Sequence, residues 1–183
     1  MRHLPNLICL IRIGLVWPIA VALQRQQYFV STALFIAAAV SDGADGYLAK
    51  RFGWTSELGK ALDPLADKVL LMTLFIECAW LGLVPPWVTA AAVARDVLIV
   101  LGAIVYRLWI GPLHGRPTAI SKANTGAQLL YLLMIMINAA VGFPPAKVLA
   151  ALAVIVLITT LSSGASYCLA FTRRAWSQPV RSS

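Results

Sequence analysis

The chain has 183 residues, of which 60% are hydrophobic and only 12% are charged, whereas a typical soluble domain carries about a quarter charged residues. This composition excludes an ordinary soluble globular domain and favours a single domain of membrane-embedded helices. The formal net charge is +8, but the basic residues lie between hydrophobic segments without interleaved aromatics, which favours a membrane protein that handles phosphates over a partner for nucleic acid.

A transmembrane helix needs roughly 20 mostly apolar residues, and six segments of the chain meet this requirement. In chain order they are residues 6–23, 28–48, 61–81, 87–110, 123–141 and 146–171. Turn-forming dipeptides such as Pro85-Pro86 and Pro144-Pro145 separate several of them. The pattern predicts an all-α polytopic membrane protein, a bundle of six transmembrane helices. Residues 1–172 would form one membrane domain and residues 173–183 a polar C-terminal tail.

Basic residues near the predicted helix ends indicate the orientation, because Lys and Arg concentrate on the cytoplasmic side of membrane proteins. With a cytoplasmic N-terminus, ten basic residues fall on the cytoplasmic side and only two, Arg25 and Lys147, on the opposite side. Both termini are therefore expected to be cytoplasmic. The ten are Arg2, Lys50, Arg51, Lys60, Arg107, Arg116, Lys122, Arg173, Arg174 and Arg181.

Four aspartates, Asp42, Asp45, Asp63 and Asp67, fall within one short stretch. The spacings i,i+3 and i,i+4 put each pair on one face of its helix. If two antiparallel helices bring the pairs together, the four anions repel one another unless cations offset them. Carboxylate oxygens select Mg²⁺, Mn²⁺ or Ca²⁺, and one such cluster can hold two ions. The alternative is that the four aspartates only cap helices and form salt bridges. Asp63 before Pro64 fits an N-cap, but this explains only one of the four.

The same stretch matches a family pattern that reads D-x-x-D-G-x-x-A-R, then eight residues, then G-x-x-x-D-x-x-x-D. In this pattern and in its six-helix layout, the chain resembles the CDP-alcohol phosphatidyltransferases. The one departure is Lys50, where the family has Arg; Lys keeps the charge but lacks the bidentate fork for phosphate. The matching residues are Asp42, Asp45, Gly46, Ala49, Lys50, Gly59, Asp63 and Asp67.

This resemblance implies an enzyme that moves a phosphatidyl group from CDP-diacylglycerol to an alcohol and releases CMP, with two divalent metal ions, Mg²⁺ or Mn²⁺, as cofactors. Asp42, Asp45, Asp63 and Asp67 would lie at the metal ions, and Asp67 would also be the catalytic base. The family further implies a homodimer among the lipids of the inner (plasma) membrane, with the active site at the cytoplasmic face. The residues implied in binding the CDP-lipid are Asp42, Gly46, Ala49, Lys50 and Gly59.

Two further stretches concern the acceptor alcohol. Arg95-Asp96-Val97 and residues 116–125 resemble the mitochondrial-type cardiolipin synthases, whereas phosphatidylglycerophosphate synthases more often have Gly-Lys-x-Lys-Thr in the second stretch. Since phosphatidylglycerol and glycerol 3-phosphate both carry phosphate, a cationic pocket suits either acceptor. The resemblance favours phosphatidylglycerol, giving cardiolipin; glycerol 3-phosphate, giving phosphatidylglycerophosphate, is the alternative. The implied acceptor-binding residues are Arg95, Arg116, Lys122 and Asn124.

Arg95 is predicted to lie about 17 Å from the cytoplasmic end of its helix, where an arginine needs an anionic partner. The candidates are an acceptor phosphate, Glu77 of the third helix and Asp96. Asp96 is the poorest of these, because adjacent residues of a helix project in different directions. The small polar run of residues 162–166 is expected to serve helix packing or a dimer contact.

A cation transporter is a remote alternative, because clustered carboxylates inside a membrane also bind cations. Transporters tend to place such sites near the midplane, on broken helices within repeats. Here the acidic residues lie near one membrane surface and the sequence has no visible repeat, so the pattern favours an enzyme. Binding of a CDP-lipid or a cytidine nucleotide would discriminate the two.

Overall fold

The computed structural model describes residues 4–52, 57–109 and 119–177, and within them the side chains at 11, 13–41, 68–102, 105, 119–167 and 169. The described residues form six α-helices and no strand, which confirms the all-α prediction. Each predicted segment coincides with one helix. The helices are α1 Leu4–Gln24, α2 Tyr28–Phe52, α3 Glu57–Trp80, α4 Pro86–Trp109, α5 Ala119–Val141 and α6 Ala146–Ser177.

Several helices are longer than their hydrophobic stretches. α2 runs on to Phe52, α3 begins at Glu57 and α6 continues to Ser177. Hydrophobicity locates the apolar part of a helix, whereas Ala, Leu, Lys and Arg have high helix propensity whether or not they face an apolar environment. α6 thus enters the predicted polar tail; residues 178–183 lie outside the described part, and the domain boundary at 172 stays a prediction.

Three tight connections join α1 to α2, α3 to α4 and α5 to α6. Gly82 and Gly142 adopt left-handed φ angles of 73° and 75°, which glycine tolerates because it has no Cβ. The backbone N–H of Gly142 donates to the carbonyl oxygen of Asn138 at 2.8 Å, which closes the last turn of α5. The side-chain amide of Asn138 donates to the carbonyl oxygen of Pro144 at 2.7 Å and holds the connection to α6.

Helix packing does not follow chain order. Along the described residues, α1 lies against both α2 and α3, α5 lies against α2, α3 and α6, and α4 lies against α3 and α6. The apolar core fills the space among these helices, and the rings of Phe75 and Tyr131 stack there with centroids 6.4 Å apart. The largest fully buried apolar side chains are Ile19, Leu23, Phe35, Leu74, Phe75, Tyr131, Leu132 and Met136.

The surface of the bundle is apolar, whereas several polar groups are buried inside it. Trp17, Phe29 and Trp80 are 76%, 76% and 86% exposed, and each of the six helices has exposed large aliphatic side chains among its described residues. In contrast, Arg95 and Asp96 are buried. This distribution suits a protein whose outer surface faces lipid, because soluble monomers rarely expose large contiguous apolar patches.

Two helices of the described part are long and apolar enough to cross a membrane, judged by length and composition. They are α5, over Ala119–Val141, and the first part of α6, over Ala146–Tyr167. Shorter apolar stretches occur at Ile13–Gln24 and Tyr28–Ser41. The fold is therefore all-helical with two candidate membrane spans. The six-span topology and the cytoplasmic termini stay predictions.

Candidate functional site

The predicted metal and CDP-lipid residues lie in the second half of α2 and the first half of α3. All four aspartates fall inside these helices, so the i,i+3 and i,i+4 spacings are helical spacings, as expected. The side chains of residues 42–52 and 57–67 lie outside the described part of the structure, and so does the predicted meeting of the two pairs. Among the side chains that are described, no group of three or more His, Cys, Asp or Glu is placed to hold a metal ion.

The fit of divalent metal ions to the site therefore depends on the chemistry of the donor set. Four carboxylates on two helical turns supply hard oxygen ligands, which Mg²⁺ and Mn²⁺ prefer, and no sulfur or imidazole competes in the same stretch. The donor set fits two such ions.

The guanidinium of Arg95 is the centre of a buried polar cluster that joins three helices. Its Nε and Nη2 donate to Ser163 Oγ of α6 at 3.2 and 2.6 Å, and Nη2 also donates to Ser121 Oγ of α5 at 2.7 Å. Nη1 donates to Asp96 Oδ1 at 2.5 Å, and the ring of Tyr167 lies 5.9 Å from Cζ. Arg95 is 6% exposed, so these contacts satisfy a charged group that water does not reach.

Asp96 extends the cluster to a fourth helix. The Nζ of Lys68 in α3 lies 3.5 Å from Asp96 Oδ1, and the side chain of Lys68 is 28% exposed. We refer to Lys68, Arg95, Asp96, Ser121 and Ser163 as the Arg95 cluster. It ties α3, α4, α5 and α6 together. Its member in α3, Lys68, directly follows Asp67, the last of the four aspartates.

The expectation that Asp96 is the poorest partner for Arg95 is wrong. Although the Cβ atoms of adjacent helix residues diverge, the long side chain of Arg95 folds along the helix far enough for Nη1 to reach the neighbouring carboxylate. The alternative pair with Glu77 is also wrong for the described residues, because the carboxylate of Glu77 accepts two hydrogen bonds from Gln24 Nε2 at 3.1 and 3.2 Å instead. Glu77 lies nine residues beyond Lys68, or about 13 Å further along α3.

A second buried polar group lies beside the Arg95 cluster, at the contact between α5 and α6. Asn124 is fully buried, and its Oδ1 accepts hydrogen bonds from Thr159 Oγ1 and Thr160 Oγ1, both at 2.9 Å. Within the described part, Asn124 Nδ2 and Gln128 Nε2, one turn apart on α5, are buried and have no hydrogen-bond partner. A buried unpaired N–H is costly, so these two amides favour an oxygen-bearing molecule or water between the helices.

The predicted acceptor residues thus have different positions. Arg95 and Asn124 are both buried, and each forms a hydrogen bond with α6, at Ser163 and Thr160 respectively. Lys122 is exposed, and Arg116 lies outside the described residues. Sequence reasoning assigned no site role to Lys68 or Ser121, it considered Asp96 only as the poorest partner for Arg95, and it assigned Ser163 to packing. The available signal was that small hydroxyl groups and charges recur in otherwise apolar helices, where each one needs a polar partner.

Comparison with known proteins identifies the family. A family model for the CDP-alcohol phosphatidyltransferases matches residues 2–162, and the chain belongs to this family of phospholipid-biosynthetic transferases. The resemblance carried by the aspartate pattern is therefore confirmed.

Several curated proteins are similar to the chain. A cardiolipin synthase (CMP-forming) from Rattus norvegicus is 32% identical over 143 residues, which cover 69% of the chain and 47% of that protein. A chloroplastic CDP-diacylglycerol–glycerol-3-phosphate 3-phosphatidyltransferase 1 from Oryza sativa subsp. japonica is 29% identical over 183 residues, covering 90% of the chain and 56% of that protein. A probable phosphatidylglycerophosphate synthase from Mycobacterium tuberculosis is 34% identical over 112 residues, covering 58% and 52%. The chain spans about half the length of the curated relatives it matches.

Proposed function

We propose that the protein transfers a phosphatidyl group from CDP-diacylglycerol to phosphatidylglycerol, giving cardiolipin and CMP. The observation that carries this proposal is the aspartate pattern of the family, with all four aspartates on helical turns of α2 and α3. Two features favour phosphatidylglycerol as the acceptor. Arg95-Asp96-Val97 and residues 116–125 resemble the cardiolipin synthases, and several relatives carry that name. The family offers no support for the cation-transport alternative.

The aspartates would provide both the metal site and the base. Members of the family are generally dependent on divalent metal ions, and Asp42, Asp45 and Asp63 would hold two Mg²⁺ or Mn²⁺ ions, with Asp67 close by. When bound, these ions would offset the charge of the diphosphate and of the departing CMP. Asp67 would take the proton from the acceptor hydroxyl. The hydroxyl oxygen then forms a bond to the phosphatidyl phosphorus as the phosphoanhydride bond to CMP breaks.

The donor lipid would lie beside the same helical turns. Gly46, Ala49 and Gly59 carry little or no side chain, which leaves space for the nucleotide diphosphate. Lys50 would bind a phosphate as a point charge where the family uses the fork of Arg. Since the acyl chains stay in the bilayer and the cytidine in water, a site near the cytoplasmic membrane surface meets the scissile phosphate where it naturally lies.

The acceptor phosphate would bind at the Arg95 cluster with Lys122, Arg116 and Asn124. The location is supported by the burial of Arg95 among α4, α5 and α6 and by the link through Lys68 to the helix that carries Asp67. Glycerol 3-phosphate is the second candidate, because the rice relative named for that acceptor matches 90% of the chain.

The apolar surface and the family support the remaining features of the proposal. The protein would cross the inner (plasma) membrane six times with both termini in the cytoplasm, open its active site at the cytoplasmic face, and form a homodimer.

A transfer assay on the purified full-length protein in detergent tests the function. CDP-diacylglycerol with Mg²⁺ or Mn²⁺ is offered with either acceptor, and CMP and the lipid products are followed. Cardiolipin from phosphatidylglycerol alone supports the leading proposal. Phosphatidylglycerophosphate from glycerol 3-phosphate alone would keep the reaction class and replace the acceptor. Product formation that persists in excess chelator would contradict the metal site.

A further inference from the structure

Asp96 connects two cations that come from different helices. Its Oδ1 accepts a hydrogen bond from Arg95 Nη1 at 2.5 Å and lies 3.5 Å from Lys68 Nζ, and Asp96 itself is 4% exposed. We propose that Asp96 is a positioning residue that holds the Arg95 guanidinium and the Lys68 ammonium in fixed places for a substrate phosphate, without touching the substrate. The inference rests on the proposed function and deepens it, because it identifies the residue that orders the cationic side of the acceptor site.

The hydrogen bonds of Arg95 make its orientation depend on Asp96. A guanidinium has five N–H donors, and the contacts to Ser163, Ser121 and Asp96 use four of them. The remaining donor is on Nη1, the nitrogen that Asp96 holds. A phosphate bound by Arg95 would therefore meet an N–H whose direction is set by the carboxylate of Asp96.

Lys68 supplies the second cation, and its ammonium faces the same oxygen of Asp96 that Arg95 contacts. It follows Asp67, the base of the proposed mechanism, and adjacent residues of a helix differ in height by about 1.5 Å. At 3.5 Å its ammonium is attracted to Asp96 but is beyond the usual N–H···O distance, so its donors can still bind phosphate oxygens. Without Asp96, Lys68 and Arg95 would repel each other across a weakly solvated space.

The charges of the Arg95 cluster do not cancel. Its described side chains carry two cations, Lys68 and Arg95, and one carboxylate, Asp96, which leaves one positive charge. Because Lys68 is partly exposed, this surplus charge is only partly removed from water, and binding of an opposite charge lowers the remaining cost. Asp96 thus neutralises enough charge for the cluster to be buried and leaves enough to attract an anion, and a phosphate on an acceptor next to Asp67 has the required charge.

The test compares Asp96→Asn with the matched control Thr89→Val in the full-length protein in detergent. Thr89 also ties α4 to α3, because its buried Oγ1 donates to the carbonyl oxygen of Phe75 at 3.1 Å, but it lies about 10 Å from Asp96 along the helix. Asp96→Asn should raise KM for the phosphate-bearing acceptor about tenfold or more, the effect of losing one charge-assisted hydrogen bond, and change KM for CDP-diacylglycerol much less. Thr89→Val should leave both KM values within about twofold.

Lys68 provides a second arm that does not depend on a buried substitution. Lys68→Met should raise the KM for the acceptor, whereas Lys68→Arg, which keeps the charge, should have a KM close to that of the wild type. Asp96→Asn should raise this KM by a smaller factor in the Lys68→Met protein than in the wild type, because both residues act on one phosphate. The proposal is overturned if Asp96→Asn and Thr89→Val change the two KM values equally. Full additivity of Asp96→Asn and Lys68→Met, or no rescue by Arg, would overturn it as well.

A binding measurement separates this inference from the proposed function. Wild-type protein that releases no CMP with either acceptor would refute the function. In that case the positioning role is tested by thermal unfolding with and without inorganic phosphate. Phosphate should raise the apparent Tm of the wild type and of Thr89→Val but not of Asp96→Asn. Equal shifts in all three proteins, or no shift in any, would refute the positioning role.

Discussion

Ser163→Ala tests the Arg95 cluster most directly, because one oxygen atom serves two donors. Ser163 is fully buried, and its Oγ accepts from both Nε and Nη2 of Arg95. Replacement by Ala removes this oxygen without adding volume, so two N–H groups of a charged side chain lose their partner where water does not replace it. The protein should therefore be less stable, although no apolar contact is lost.

The expected size follows from these two contacts. Hydrogen bonds to charged groups contribute about 1.5–3 kcal/mol each, and since the two share one acceptor oxygen the loss should be about 2–3 kcal/mol. For a chain of this length, 1 kcal/mol shifts Tm by roughly 2–4 °C, so Ser163→Ala should lower the apparent Tm by about 4–12 °C. The assay is thermal unfolding of the full-length protein in detergent, followed by the loss of helical circular dichroism.

Ser166→Ala is the matched control for this measurement. Ser166 lies one turn further along α6, and its Oγ donates to the carbonyl oxygen of Ser162 within the same helix at 2.8 Å. Loss of this local bond should change stability by no more than about 0.5 kcal/mol. If Ser163→Ala and Ser166→Ala lower the apparent Tm by the same amount, the contact between Arg95 and Ser163 does not stabilise the bundle and the reasoning is refuted.

Three further predictions concern the metal site, the nucleotide pocket and one turn. Asp67→Asn should lower CMP release by a factor of about 10² or more while Tm and CDP-diacylglycerol binding stay close to wild type; near-normal turnover would remove Asp67 as the base. Lys50→Arg restores the family residue and should keep turnover within a few-fold in the same assay, whereas a large loss would mean that the pocket is too tight for Arg. Gly142→Ala should destabilise the protein by about 1 kcal/mol, because φ is 75° there. The control is Gly126→Ala within a helix, which also has open space for a Cβ and should be neutral or stabilising. A lower apparent Tm for Gly126→Ala than for Gly142→Ala would contradict the turn geometry.

The helices could be predicted from the sequence because they depend on local information. Runs of apolar residues between Pro and Gly gave six segments, and the structure has one helix for each. The helix ends at Phe52 and Glu57 were not predictable from hydrophobicity, since these turns are polar and only their helix propensity favours them. The spacing of the aspartates was sufficient to predict that each pair shares a helix face.

The Arg95 cluster could be predicted only in part, because partner choice depends on which helices touch. The sequence indicates that Arg95 needs a polar partner, and Asp96, Glu77 and a ligand were all compatible with that need. Ser163 lies 68 residues away in α6, and nothing in the local sequence specifies that α4 packs against α6. The contact became evident only when the packing order of the helices was known.

The contact between Arg95 and its sequence neighbour has a consequence for biosynthesis. Ser121 and Ser163 follow Arg95 in the chain, so neither hydroxyl exists when α4 leaves the ribosome, and domains are made from the N-terminus onward. Asp96, in contrast, is present from the start and lies on the same helix. If α4 crosses the membrane as predicted, a guanidinium paired with the adjacent carboxylate would enter the bilayer as a neutral couple, which reduces the cost of inserting the helix. The serines would add their hydrogen bonds when α5 and α6 arrive.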